Sequence, residues 1–330
     1  MTLNKEKMWV SLLLLVATLF LVQCKKENKI QDTINDVVNG NTLSDSASIA
    51  KKDSAVSGPV QQKANFKYTA LIFPEKKRDS VMIAFKKQFS EEEIYTILAL
   101  NRLDKKNSWR ADTLMIPDKI SKNFLDYSPF PDQLDVLSDV KKLVIFSYPI
   151  QAYAVYENGK LLKWGPSSMG KKAAQTKRGL MFANWKKELA ISTVDSEWKL
   201  PYNFNIHNSL GIGWHQYDLP GFPASHSCLR LLMNDAKWLY GFADQWVLNK
   251  GGATTKAKGT PVIVFGDYAW GKKKPWKQLY LDPKATDYSV EQMNAIIEPH
   301  KAEILKEQQN RDQVLASMPT KPKPAKTDSL

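Results

Sequence analysis

The sequence predicts a mainly β protein, a sandwich or barrel with one or two helices, preceded by a small α/β module. Three observations carry this reading. Short apolar runs punctuated by turn residues recur across residues 137–268, with one late helical pattern among them. Asn158-Gly159 separates two of those runs, the strongest short signal for a tight hairpin, because both central residues must accept positive φ. Residues 66–131 instead mix strand-like and helical spacing. At 330 residues the chain is long enough for one sizeable core plus a smaller unit.

The elements follow in order. Lys5 and Lys7 precede an apolar run from Met8 to Val22, and Cys24 follows. A charged flank on a short apolar core reads as an export signal over 1–23, with an uncleaved signal anchor as the alternative. Leu21-Val22-Gln23-Cys24 resembles a bacterial lipobox, although Gln23 stands where a small residue is usual. The resemblance implies lipidation of Cys24 and a membrane-anchored lipoprotein in the periplasm or cell envelope. Residues 24–65 read as a solvated, disordered tether, since positions 25–64 contain no aromatic residue and are rich in Lys, Asp, Ser and Asn.

Within 66–131, Tyr68 to Phe73 reads as a strand. Ser90 and Glu93 form a capping-box signature ahead of Ile94, Ile97 and Leu98 at helical spacing. Thr113 to Pro117 reads as a closing strand. The run from Ile94 to Pro117 resembles the second half of a LysM domain, a glycan-binding βααβ unit; a family-specific α/β spacer is the other reading. Strands are then expected at Leu143–Phe146, Ala152–Tyr156, Leu161–Trp164, around Thr176–Phe182, Asn203–Ile206, Gly211–His215 and Thr260–Phe265. Asn234 is placed as the N-cap of a helix carrying Leu239, Phe242 and Trp246 on one face. Beyond Gly271 the core signal fades. Residues 271–330 read as a charged helix, Ser289 to Gln309, followed by a disordered basic tail.

The net charge of +13 does not point to nucleic acid: the lysines are spread along the chain and no nucleic-acid-reading motif is present. An anionic wall or membrane surface fits it better.

Chemistry concentrates in one stretch. Three of four histidines, His207, His215 and His226, lead up to Cys228, and the other cysteine is Cys24. If Cys24 is lipidated, Cys228 has no disulfide partner, and a lone thiol in an exported protein points to catalysis. Imidazole can take the thiol proton, and thiolate is the nucleophile of acyl transfer. Small residues Ser225 and Ser227 leave room for a substrate carbonyl, and Arg230 offers a forked contact to a carboxylate.

The stretch from His215 through Leu-Pro-Gly-Phe-Pro-Ala-Ser-His-Ser-Cys-Leu-Arg-Leu resembles the catalytic motif of the L,D-transpeptidase (YkuD) family. The likeness extends over about 137–268. It takes in the first hairpin at Leu143–Gly159, the glycine turn and strand at Gly165–Phe182, where Lys177-Arg178 replaces an expected Pro, and the closing strand at Gly259–Val264. It implies a cysteine acyl-transferase without cofactor. The substrates would be peptidoglycan stem peptides, with a glycan partner for the module. A Cys228 thioester formed on a donor stem would be resolved by the amine of a second stem, giving a 3→3 cross-link. With water as acceptor it would be an L,D-carboxypeptidase. His215 is then the expected base, with His207 as alternative. Backbone N–H groups around Ser227 and Cys228 would form the oxyanion hole, His226 would shape the loop, Ser225 would contact substrate, and Arg230 would either bind a stem carboxylate or brace the loop. Ser227 replaces the usual Gly, so a positive φ there would carry strain. Two rival classes remain: a zinc site built from the three histidines and Cys228, and a non-enzymatic wall-binding lipoprotein.

Overall fold

The computed structural model describes residues 65–192 and 196–318. The signal, Cys24, the tether and the basic tail beyond Met318 lie outside the described residues.

The chain begins with β1 (Tyr68–Ile72), α1 (Arg78–Gln88), α2 (Glu91–Leu100) and β2 (Thr113–Pro117). β1 and β2 pair antiparallel, and Phe73, Phe85, Ile94, Ile97, Leu98 and Leu114 fill the space between them and the helices. The capping box is present: the Glu93 N–H donates to Ser90, and the Ser90 N–H donates to Glu93.

The larger unit contains β3 (Leu143–Ser147), β4 (Ala152–Glu157), β5 (Lys160–Pro166), β6 (Gly179–Phe182), β7 (Lys186–Ile191), β8 (Lys199–His207), β9 (Ile212–Gln216) and β10 (Leu229–Leu231). Then come α3 (Met233–Phe242), β11 (Val247–Leu248), β12 (Thr255–Ala257), β13 (Pro261–Phe265) and α4 (Val290–Ala316). One sheet has the order β5-β4-β3-β13-β6 and the other β10-β9-β8-β7. β13 runs parallel to β3, and β10 parallel to β9. The Asn158-Gly159 turn joins β4 to β5 with φ of 48° and 80°.

Period-2 alternation explains the layering. Val144, Phe146, Tyr153, Val155, Val262 and Val264 face the second sheet, meeting Phe204, Ile206, Ile212, Trp214, Leu229 and Leu231. Their neighbours Leu143, Ile145, Ala154, Ile263 and Phe265 face the other way, towards Met293, Ile296, Ile297 and Ile304 of α4. The central sheet is therefore covered on both faces, which is why β3 is buried along its whole length and apolar from Leu143 to Phe146. The protein is a mainly β sandwich with a helix laid across its back.

Three expectations need correction. The core does not fade after Gly271: Trp276 is fully buried, and α4 buries an i, i+3, i+4 stripe whose charged flanks hide it in composition. Asn234 does not cap α3, which starts one residue earlier with Leu232 at the N-cap, and Trp246 lies beyond its end at Phe242. β7 was not expected, because Lys-Lys-Glu-Leu-Ala-Ile is a charged edge strand that buries only Ala190.

The first unit does not stand apart. Arg102, 2% exposed and with φ 62°, donates Nε–H to the Ile150 carbonyl at 2.8 Å. Its guanidinium lies over the rings of Trp164 and Trp276 at 5.7 and 5.2 Å.

Candidate active site

The parallel pairing of β10 with β9 builds the site. Arg230 faces His215 and Leu229 faces Trp214 across the ladder. Side chains alternate, so Cys228, Arg230 and His215 fall on one face while Leu229 and Trp214 point into the core. A small pocket of about 40 Å³ opens on that face, lined by His215, Cys228, Arg230, Ser225, His226 and Tyr217, with Ser192, Trp198 and Leu200 as its far wall. Gly213, also in β9, cannot be larger: a Cβ there would lie 2.6 Å from the Phe204 carbonyl.

His215 is buried at 3% exposure. Its Nδ1 lies 2.9 Å from the Gln216 carbonyl. A carbonyl only accepts, so Nδ1 carries the proton and Nε2 keeps the basic lone pair. Burial, with help from the Arg230 charge, lowers its pKa to about 4 although the Gln216 bond opposes this. Cys228 is a free, half-buried thiol. Burial pushes its pKa up, while the Gly213 N–H and the Arg230 guanidinium pull it back. Near neutral pH the pair therefore rests as thiol and imidazole.

The turn that carries Cys228 is held at its Ser225, Ser227 and Cys228 carbonyls. The Ser225 hydroxyl donates to the Cys228 carbonyl at 2.5 Å. Thr176 Oγ1, fully buried, donates to the Ser227 carbonyl at 2.9 Å and accepts the Gly170 N–H at 3.0 Å. The peptide is planar and trans, so a Ser227 carbonyl held by Thr176 turns the Cys228 N–H the opposite way. Ser227 sits at φ 86°, the left-handed region where a Cβ is strained.

The residues singled out in the sequence are not all gathered here. His226 is exposed; its ring packs 5.3 Å from Trp198, and its Nε2 lies 2.6 Å from Lys171 Nζ. His207 stays at the end of β8, off the pocket wall, with Nε2 3.3 Å from Lys177 Nζ and Nδ1 accepting the Leu210 N–H at 3.3 Å. Arg230 donates to the Asp218 carbonyl at 3.3 Å and lies 4.6 Å over the Tyr217 ring. His300 is on α4. The histidines diverge, and among the described residues no group of three His, Cys, Asp or Glu side chains is placed to hold a metal. Trp214 is a core residue and Phe222 an exposed one, whereas Trp198, Leu200 and Thr176 belong to the site and had no local sequence signal.

The loop between the two catalytic candidates is held by the first unit. Asp104 N–H donates to the Leu219 carbonyl at 3.1 Å, and Leu219 N–H donates to Asp104 Oδ2 at 2.5 Å. Leu103 bridges Pro220, Lys106 pairs with Asp218 at 2.8 Å, and Lys274 Nζ donates to the Gly221 carbonyl at 2.7 Å.

Residues 141–264 match the L,D-transpeptidase catalytic domain family, YkuD. Both His215 and Cys228 fall inside the matched segment; the βααβ unit and α4 fall outside. Among solved structures the chain is similar to an L,D-transpeptidase from Mycobacterium smegmatis, at 21% identity over 38% of this chain and 59% of that one, with a TM-score of 0.31. It is similar to an L,D-transpeptidase from Stackebrandtia nassauensis, at 25% identity over 39% and 57% of the two chains, TM-score 0.31. An L,D-transpeptidase from Mycobacterium tuberculosis H37Rv matches at 16% identity over 61% of this chain and 91% of that one, TM-score 0.31. The first two are covered over less than two thirds of their own length. No curated protein sequence matches the chain. Among the described residues no helix is long and apolar enough to cross a membrane.

Proposed function

We propose that the protein is an L,D-transpeptidase acting on peptidoglycan stem peptides through a Cys228 thioester. One observation carries the reading: a lone thiol shares a pocket with a buried histidine whose Nδ1–H is committed to a backbone carbonyl, leaving Nε2 as base. The L,D-transpeptidase catalytic domain match over 141–264 supports the same chemistry.

In the first half-reaction, the Sγ–H proton passes to His215 Nε2 as sulfur attacks a donor carbonyl. The resulting oxyanion is met by N–H groups of the Ser227–Cys228 turn. The C–N bond then breaks, and the leaving amine of the terminal D-residue takes the proton from His215. In the second half-reaction the amine of another stem attacks the thioester and gives its proton to His215. The C–S bond breaks, and the thiolate recovers that proton. A 3→3 cross-link results when the attacking amine belongs to a diamino acid side chain. Envelope placement through a lipid on Cys24 belongs to the same proposal, since the substrate is there.

The test is mass-detected acylation of the purified protein by a carbapenem. The expected result is one adduct on Cys228, absent in Cys228→Ala. No adduct on folded protein would favour an inert wall-binding role. Incubation with a tetrapeptide donor and an amine acceptor then separates cross-linking from hydrolysis by product mass.

A further inference from the structure

The loop Gly170–Lys177 lies along the nucleophile turn and is tied to it at both ends. Gly170 bridges Ser225, and the Lys171 N–H donates to the Ser225 carbonyl at 2.8 Å. At the other end Thr176 Oγ1 holds the Ser227 carbonyl. Lys171 is one anchor and Lys177 follows the other, so the two lysines lie at opposite ends of the loop that holds the Ser225–Cys228 turn. Each ammonium reaches a histidine: Lys171 to His226 Nε2 at 2.6 Å and Lys177 to His207 Nε2 at 3.3 Å. An ammonium only donates, so His226 Nε2 accepts from Lys171 as a neutral ring; His207 Nδ1 already accepts the Leu210 N–H, so its Nε2 carries the proton and Lys177 is a near neighbour of that ring without a hydrogen bond to it. A third cation, Arg230, lines the pocket itself.

None of these three cations takes part in any ion pair between described residues. The contrast lies next door in the chain: Arg178, immediately after Lys177, is neutralised by Asp267 at 2.8 Å. Arg230 contacts the Asp218 backbone carbonyl and the Tyr217 ring, and the Asp218 and Asp104 carboxylates lie near enough to offset part of its charge. The two lysines have no such ion pair, so the mouth keeps a net positive field, which draws an anionic ligand in and strengthens at low salt.

Resting on the function proposed above, we infer that Lys171 and Lys177, with Arg230, select donor stems that carry free carboxylates over stems whose carboxylates are amidated. The two lysines are specificity residues: they meet the ligand's charge, while Cys228 and His215 meet the scissile bond. The neutral His226 ring orients the Lys171 ammonium. Lys–His pairing does this without cancelling the charge, as Lys–carboxylate pairing would.

The experiment compares two synthetic tetrapeptide donors that differ only in amidation of the free carboxylates. Thioester formation on Cys228 of the full chain is followed by mass spectrometry at 20 mM and 300 mM salt. Each exposed charge contact contributes up to about fivefold, so the carboxylate donor is expected to react about tenfold faster at low salt, with the ratio falling at high salt. In K171Q/K177Q the ratio is expected to fall towards that of Arg230 alone, about threefold. K172Q, on the same loop but without a contact to the turn, keeps the wild-type ratio. Equal rates for the two donors on wild-type protein overturn the selectivity alone. An equal loss in K172Q overturns its assignment to Lys171 and Lys177. No adduct with either donor overturns the transpeptidase reading, and this inference with it.

Discussion

Thr176 Oγ1 holds the Ser227 carbonyl at 2.9 Å, so a side chain on one loop sets the peptide plane that ends at the nucleophile. Thr176→Val keeps the shape and removes the hydroxyl. Two partners are left without their bond, the Ser227 carbonyl and the Gly170 N–H. The acylation rate is expected to fall about 10- to 100-fold, less than loss of a direct oxyanion donor. Thr176→Ser restores most of it. Stopped-flow acylation checks both, and an unaltered rate in the valine variant removes Thr176 from the site.

Ser227 is the strained member of the turn, at φ 86°. Ser227→Gly relieves about 1–2 kcal/mol of left-handed strain and adds about 0.5–1 kcal/mol of unfolded-state entropy. The net gain is about 0.5–1 kcal/mol, which appears as a rise in Tm of a few degrees. A fall in Tm would show that the serine hydroxyl contributes more than its Cβ costs.

His215 links the site to pH. Its pKa falls from the usual 6.5 to about 4 because it is buried. Between those values the unfolded chain binds the proton and the folded one does not, so stability rises with pH across this window and is lost on acidification. The contribution is about 3 kcal/mol, fully lost below about pH 4. Urea unfolding at pH 7, 5 and 4 should show a steeper loss for wild type than for His215→Gln. Parallel curves would contradict the buried neutral state.

The thiol moves in the other direction. Burial raises the Cys228 pKa and the Arg230 charge lowers it. Iodoacetamide alkylation should therefore reach half its plateau above the usual thiol range. Arg230→Gln should shift that midpoint higher still and slow alkylation at neutral pH. A midpoint that moves down on losing the guanidinium would reverse the electrostatic account.

Asp104 acts at a distance from the chemistry. Its carboxylate accepts the Leu219 N–H and also the Asn107 N–H at 2.7 Å. Asp104→Ala should cost about 1–2 kcal/mol in folding stability and slow acylation about tenfold, with Asp104→Asn recovering part of both. Unchanged acylation in a destabilised Ala variant would limit Asp104 to a structural role.

Much of this was legible along the chain, and the reason is locality. The Asn158-Gly159 hairpin, the Ser90–Glu93 capping box and the central apolar strands each declare themselves within a few residues. Cys228 and His215 stood out by rarity and spacing, and parallel register placed them on one face. What stayed hidden depends on separation or on disguise. Thr176 reaches Ser227 across 51 positions and Asp104 reaches Leu219 across 115, and neither residue type is distinctive by itself. β7 and the buried face of α4 were obscured because charged residues on their open sides dilute the apolar ones they bury. The sequence also put His207 close to the thiol by number, whereas it lies off the pocket beside Lys177; His226 does line the pocket, with its ring against Lys171 and Trp198.

The seam at Asp104 has a consequence for dissecting the protein. The stretch that matches the catalytic family starts at 141 and ends at 264, yet its loop is fastened by residues 103–106 upstream and by Lys274 downstream. A fragment cut at the family borders would keep the nucleophile and lose both fasteners. The family-matched segment is therefore not a portable cassette, and any transplant into another scaffold must carry the Arg102–Lys106 edge and Lys274 with it.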